Sequence, residues 1–256
     1  MGDTAGAGRA ARHALAHAVE PDLLVDLYWT LVQCVMREGR FAESLATLDQ
    51  ALASPGLSAR HRARLLVLAA RTHSQLLYQM GRWDDALAEV GITPDDLKED
   101  GAVTSERGIA AVISFHRGDV PGARRHLAAA APCAARLEPR LVASLALARS
   151  LDREHDGALP EALAALTGGL DRDTEDVEET EDVLGDAVRL ALAAGELDRA
   201  HVFADQAAAL AAGSEIPHRQ AARSTAAACW IVTPASCSRP PGGMRTPAGR
   251  CRERKR

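Results

Sequence analysis

A chain of 256 residues suffices for one or two compact domains, or for one array of about five or six helical hairpins. Hydrophobic residues make up 47% and aromatics only 3%, so the interior must be Leu, Ala and Val packed between helices, and no stretch alternates like a strand. The formal net charge is −5, and the five cysteines are odd in number and lack C-x-x-C spacing, which excludes a disulfide framework. No segment reaches the roughly 18 apolar residues of a membrane span. Met1 to Glu20 is interrupted by Arg9, Arg12, His13 and His17 and reads as no signal peptide, so a cytoplasmic protein is expected.

In chain order, Ala11, Leu15 and Ala18 before Pro21 have the small–bulky–small spacing of the second helix of a hairpin. A complete hairpin is predicted from Asp22 to Pro55. Leu27, Tyr28, Leu31, Val32 and Val35 form its first stripe, and Phe41, Leu45, Leu48, Ala51 and Leu52 its second. The next hairpin spans Ser58 to Val90, with Leu65, Leu66, Leu68, Ala69, His73 and Leu76 on a longer first helix. In the connector that follows, Thr93 is predicted to cap a helix whose first residue is Pro94. Later hairpins centre on Gly118, Gly157 and Gly195. Asp171 to Asp182 carries eight acidic residues against Arg172, which suits a solvated loop entering a helix N-terminus. A further first helix starts after Pro217 and does not reach its turn.

From residue 223 the composition changes. The last 34 residues hold eight basic groups, one acid and three cysteines, leaving 22 basic and 34 acidic groups in residues 1–222. Pro234, Pro240, Pro241 and Pro247 forbid a regular helix, and ordering such a segment costs roughly 1 to 2 kcal/mol per residue, so a disordered tail is expected. One reading of 223–256 is a basic arm for nucleic acid or an acidic partner. The other is sequence translated out of frame. The use of 28 Arg against two Lys points to a GC-rich gene, whose alternative frames tend to encode Arg, Pro, Gly, Ala, Ser and Cys.

The hairpins share a motif. Gly39-Arg-Phe41-Ala-Glu-Ser44, Gly81-Arg-Trp83-Asp-Asp-Ala86, Gly118-Asp-Val120-Pro-Gly-Ala123, Gly157-Ala-Leu159-Pro-Glu-Ala162 and Gly195-Glu-Leu197-Asp-Arg-Ala200 place an apolar residue two positions after glycine and a small one five positions after. The glycines are 42, 37, 39 and 38 residues apart. Near-register repetition of this period means stacked supersecondary units. Glycine can close a helix in the left-handed conformation at no Cβ cost, and the small residue lets the next helix cross closely. Tyr28, Leu31, Val35, Gly39, Phe41, Ser44, Leu48, Ala51 and Pro55 follow the tetratricopeptide pattern in order. The expected fold is all-α: a right-handed solenoid of stacked helical hairpins over residues 1–222, followed by the tail.

Catalytic signatures are sparse. Lys98 and Lys255 do not follow glycine, so there is no phosphate loop, and neither G-x-S-x-G nor H-E-x-x-H occurs. His13 and His17 share a helix face but lack a third ligand for a metal. Asp95-Asp96-Leu-Lys-Glu99-Asp100 resembles the acidic magnesium motif of helical terpene synthases, without the second metal motif that fold needs; carboxylates just after a helix-starting proline suit the macrodipole instead. Cys34 and Cys133 sit among small apolar residues and read as buried thiols. The chain is therefore expected to be no enzyme, with no cofactor and no metal. First helices carry a second stripe: Trp29, Gln33, Met36 and Arg37, then Arg71, Gln75, Tyr78 and Gln79. In stacked hairpins first helices line the concave face, which makes Trp29, Gln33, Arg37, Arg71, Gln75 and Tyr78 candidates for a groove. The other reading is that Trp29 and Tyr78 cover the seam between repeats.

Segments such as MREGRFAESLATLDQAL, YQMGRWDDALAEVGI and LAAGELDRAHVFADQAAALAAGSEIPHRQAA give the array a particular register. Roughly over residues 9 to 222, it resembles the C-terminal helical region of the large ATP-binding LuxR-type transcriptional activators, relatives of the maltose-regulon activator. In that family a P-loop ATPase precedes the helical sensor and a helix-turn-helix DNA reader follows it. The resemblance implies a module that senses a small-molecule inducer or a protein partner in its concave groove. On this resemblance the chain is expected to be a fragment lacking the ATPase and DNA reader, with no direct DNA binding and no membrane association. A free-standing tetratricopeptide scaffold for protein–protein interaction is the alternative.

Overall fold

The computed structural model describes residues 3–137, 142–168 and 177–212, together with 220 and 224, and for 177–182 the backbone alone. These residues form α-helices and one 3₁₀ turn, with no strand among them. The helices are α1 (Thr4–Leu15), α2 (Pro21–Arg37), α3 (Phe41–Ala53), α4 (Ala59–Gln79), α5 (Trp83–Glu89) and α6 (Asp100–His116). They continue as α7 (Val120–Leu137), α8 (Ala143–His155), α9 (Leu159–Thr167), α10 (Val177–Ala193) and α11 (Leu197–Ala211). The basic segment expected to be disordered lies, Ser224 apart, outside the described residues, as does the first part of the acidic run before α10.

Five helix pairs, α2–α3, α4–α5, α6–α7, α8–α9 and α10–α11, are joined by the same turn. Gly39, Gly81, Gly118, Gly157 and Gly195 all have positive φ, between 73° and 78°. Each glycine N–H donates to the carbonyl three residues back, and the next residue's N–H donates to the carbonyl five back. Arg40 N–H reaches Val35 O at 3.2 Å and Glu196 N–H reaches Ala191 O at 2.8 Å. This is the Schellman closure, which satisfies carbonyls that a helix end leaves orphaned. The apolar residue after the turn begins the second helix, and the small residue three positions on lies in the helix–helix contact. Ser44, Ala86, Ala123, Ala162 and Ala200 are all 0% exposed. The Ser44 hydroxyl spends its proton on the Val32 carbonyl at 2.9 Å, so even this polar member is compatible with burial.

Neighbouring helices along the chain pack on one another, and first helices also touch across units: α2 on α4, α4 on α6, α6 on α8 and α8 on α10. The apolar interior is correspondingly divided. Leu24, Val25, Leu48, Leu57 and Leu65 fill the space among α2, α3 and α4. Leu76, Leu77, Ala86, Ile109 and Ile113 join α4, α5 and α6, and Leu163, Leu166, Leu184, Leu190 and Phe203 join α9, α10 and α11. At the N-terminal end α1 packs on α2 through Ala11, Leu31 and Val35. It ends at Leu15, so Ala18 lies beyond the helix in which the sequence places it.

The connector departs from expectation. Asp95–Leu97 forms only a 3₁₀ turn after Pro94, and α6 begins at Asp100. The Arg107 guanidinium holds the Asp95 carboxylate at 2.8 and 3.1 Å, and Lys98 Nζ lies 3.7 Å from it. These pairs tie the connector back to α6, and the proline that should have opened a helix sits in an extended approach to it instead.

A cleft across three first helices

Helix α4 turns Gln75, Tyr78 and Gln79 toward a partly open cavity of about 140 Å³. Ser105, Ile109 and Val112 of α6 form its floor, and Ala143, Ser144 and Leu147 of α8 close the far side. Spacing of three and four residues on each helix puts these groups on one face. None of the nine side chains is charged. The Ser144 hydroxyl donates to the Ser105 carbonyl at 3.0 Å and binds α8 to α6 beside the cavity. At Gly108 the two helices come closer still: a Cβ there would lie 2.7 Å from the Leu145 amide nitrogen and from Ser144 Oγ. Gly108 stands ten residues before its turn glycine, a register held by Trp29, Arg71 and Leu147 in three other units and by Gly185 in the last. Loss of the side chain at that register lets α8 approach α6 as it does.

Of the six residues expected in a groove, the structure brings Gln75 and Tyr78 to the cavity. Tyr78 is also stacked against Trp83, with ring centres 6.4 Å apart, and Trp83 against His116 at 5.8 Å. Trp29 is half-buried against the cluster of Leu24, Val25 and Leu48. Gln33 Nε2 donates to Thr72 Oγ1 at 3.2 Å, bridging α2 to α4. Arg37 is exposed in the last turn of α2, and Arg71 is half-buried on α4. Ser105, Ala143, Ser144 and Leu147 are lining residues that sequence reasoning missed. Only Val112 carried a signal, since it occupies the register of Gln33 and Gln75, six residues before the turn glycine.

Charges lie elsewhere, and mostly in pairs. Lys98 and Glu106 are almost fully buried against each other, Nζ to Oε2 at 2.5 Å, while Glu106 Oε1 has no hydrogen-bond partner among the described residues. Burial raises the Glu106 carboxyl above its ordinary value, against the opposing pull of Lys98. Arg189 of α10 holds Glu154 of α8 through two bonds of 2.5 and 2.8 Å, and this lowers the Glu154 carboxyl. Asp95, the head of the acidic motif, is engaged by Arg107 and Lys98 rather than open to a metal. His13 and His17 meet edge to face at 5.2 Å, and no cluster of three or more His, Cys, Asp or Glu among the described residues could hold a metal ion. Cys34 is buried, whereas Cys133 is only half-buried and its Sγ accepts from Arg136 at 3.3 Å. Among the described residues no helix is long and apolar enough to cross a membrane.

No protein-family profile matches the chain, and no curated protein matches it. Among solved structures it is similar to the crystal structure of BtubC (BKLC) from P. vanneervenii, at 15% identity over 98% of this chain and 96% of that one, with a TM-score of 0.48. A likeness at that level carries no functional assignment.

Proposed function

We propose that the chain is a tetratricopeptide-like, right-handed solenoid of helical hairpins, and that it serves as the ligand- or partner-sensing module of a LuxR-type transcriptional regulator. Five identical Schellman turns, each followed by a fully buried small residue, support the repeat. The cavity assembled from α4, α6 and α8, whose described lining residues are all uncharged, is the observation that carries the sensing role. A site built from three successive units is the place where a bound molecule can influence how those units stack. The described part of its wall is made of amides, hydroxyls and aliphatic groups, which supports binding as its activity. The register of the segments around Gly39, Gly81 and Gly195 supports the regulator family.

The purified chain should then neither hydrolyse ATP nor retain DNA sequence-specifically at physiological salt. Turnover above a buffer control, or specific retention, would overturn this reading. The DNA flanking the coding sequence separates it from a free-standing scaffold: frames encoding an ATPase and a helix-turn-helix support the regulator, and their absence supports the scaffold.

A further inference from the structure

We infer that the cavity between α4, α6 and α8 binds a free, uncharged, ring-sized organic molecule with a single hydroxyl or amide edge; this deepens the sensing reading and rests on it. Size comes first. A volume of about 140 Å³ matches the roughly 150 Å³ that accommodates benzene in an engineered protein cavity, so one six-membered ring fills it and a nucleotide does not fit. The chemistry of the lining comes next. Ile109 and Val112, both nearly fully buried, and Leu147 offer aliphatic surface to a ring face or edge.

Two polar side chains line the same space, Ser105 on the α6 floor beside Ile109 and Gln75 on α4. Ser105 is 4% exposed and lines the cavity, yet among the described residues its hydroxyl makes no hydrogen bond; only its carbonyl is engaged, by Ser144. The Gln75 amide lines the same space and likewise has no partner among the described residues. A ligand that displaces water from these two groups keeps its affinity only if it supplies a donor or acceptor of its own. Serine and glutamine both donate and accept, which fits a ligand hydroxyl or amide. A carboxylate or phosphate would lose its hydration with no counter-charge among the described lining residues to replace it.

The stack of Tyr78 on Trp83 provides the readout, because Tyr78 lines the cavity and Trp83 reports its environment. The full chain is titrated with phenol, toluene and benzoate, following tryptophan fluorescence and, independently, ligand-observed NMR. Phenol is expected to bind saturably, with a Kd of about 1 mM for so few atoms, and benzoate at least about tenfold more weakly. In the variant combining Gln75→Leu with Ser105→Ala, phenol affinity should fall about tenfold while toluene affinity holds, at unchanged helix content. Non-saturable phenol binding, benzoate binding as tight as phenol, or phenol affinity unaffected in a folded double variant would each overturn the assignment. The comparison of phenol with benzoate on the unmodified chain stands even if the variant does not fold. ATP hydrolysis and DNA retention measured on the same preparation bear on the module reading alone, so the two can fail separately.

Discussion

Lys98 is one of only two lysines in the chain, and its ammonium is sealed against Glu106, with the two side chains 1% and 2% exposed. Two charges withdrawn from water are seldom repaid in full by their attraction, and the raised Glu106 carboxyl shows which side wins here. Removing one partner leaves the other charge stranded. Lys98→Met should therefore cost about 3 to 5 kcal/mol of stability. Adding Glu106→Leu should recover most of the loss, and urea denaturation of the single and double variants measures both. A double variant as unstable as the single one would show that the pair itself stabilises the fold. The Glu106 and Glu154 carboxylates respond to pH in opposite senses. Glu106, raised in the folded chain, contributes stability below its ordinary value of 4.5 that is lost as pH rises through its folded value. Glu154, lowered by Arg189, contributes above 4.5 and loses that contribution as pH falls. Glu154→Gln should accordingly flatten the acid side of the stability profile, with the unfolding midpoint followed from neutral pH downward. An acid limb identical to that of the unmodified chain would remove Glu154 as its source.

At the scale of the helix pair, two kinds of glycine do different work. Gly118 has a φ of 77° and open space where a Cβ would go, so its role is conformational. Alanine there should cost about 1 to 2 kcal/mol, the ordinary penalty of a left-handed residue with a Cβ, and asparagine less. Gly108 lies inside α6, where alanine improves helix propensity by about 1 kcal/mol. Its Cβ would nonetheless strike the α8 backbone at 2.7 Å. Gly108→Ala should destabilise despite the better propensity, through the overpacking cost of about 1 to 3 kcal/mol, and should also disturb the cavity wall at Ser144. Thermal midpoints of the two variants, read beside phenol binding, separate the roles: Gly118→Ala should lower the midpoint alone. A stabilised Gly108→Ala chain would mean that α6 and α8 are not held at that distance.

Across the molecule, apolar contacts form a series of clusters between adjacent helices, each bridging neighbouring units. In the proposed solenoid, stability would be a sum of local and nearest-neighbour terms, and damage would stay near its origin. Leu163 is fully buried in the cluster that joins α9, α10 and α11. Leu163→Ala should cost about 2 to 5 kcal/mol locally. Hydrogen exchange should then show lowered protection in α8 through α11 and near-normal protection in α2 and α3. A uniform loss along the whole chain would indicate a single cooperative core in place of serial units.

The turns were legible in the sequence because their cause is local. A left-handed φ excludes a Cβ, and a close helix crossing excludes a large side chain, so Gly39 with Ser44 and Gly195 with Ala200 could be read from spacing alone. Amphipathic stripes located the helices for a similar reason, since burial repeats at the period of the helix itself. What surrounds each side chain was a matter for the tertiary structure. Gln33 and Gln75 share one register, yet the first bridges to Thr72 while the second faces a cavity, because the helix packed opposite differs. Ser105 and Ser144 carried no pattern, and their meeting, across 39 residues of sequence, depends on the close approach that Gly108 permits. Thr93 and Pro94 had the chemistry of a helix start, but the pull of Arg107 and Lys98 on Asp95 outweighed it. Local conformational preference is encoded residue by residue; the distance between two helix faces is set by every side chain packed between them.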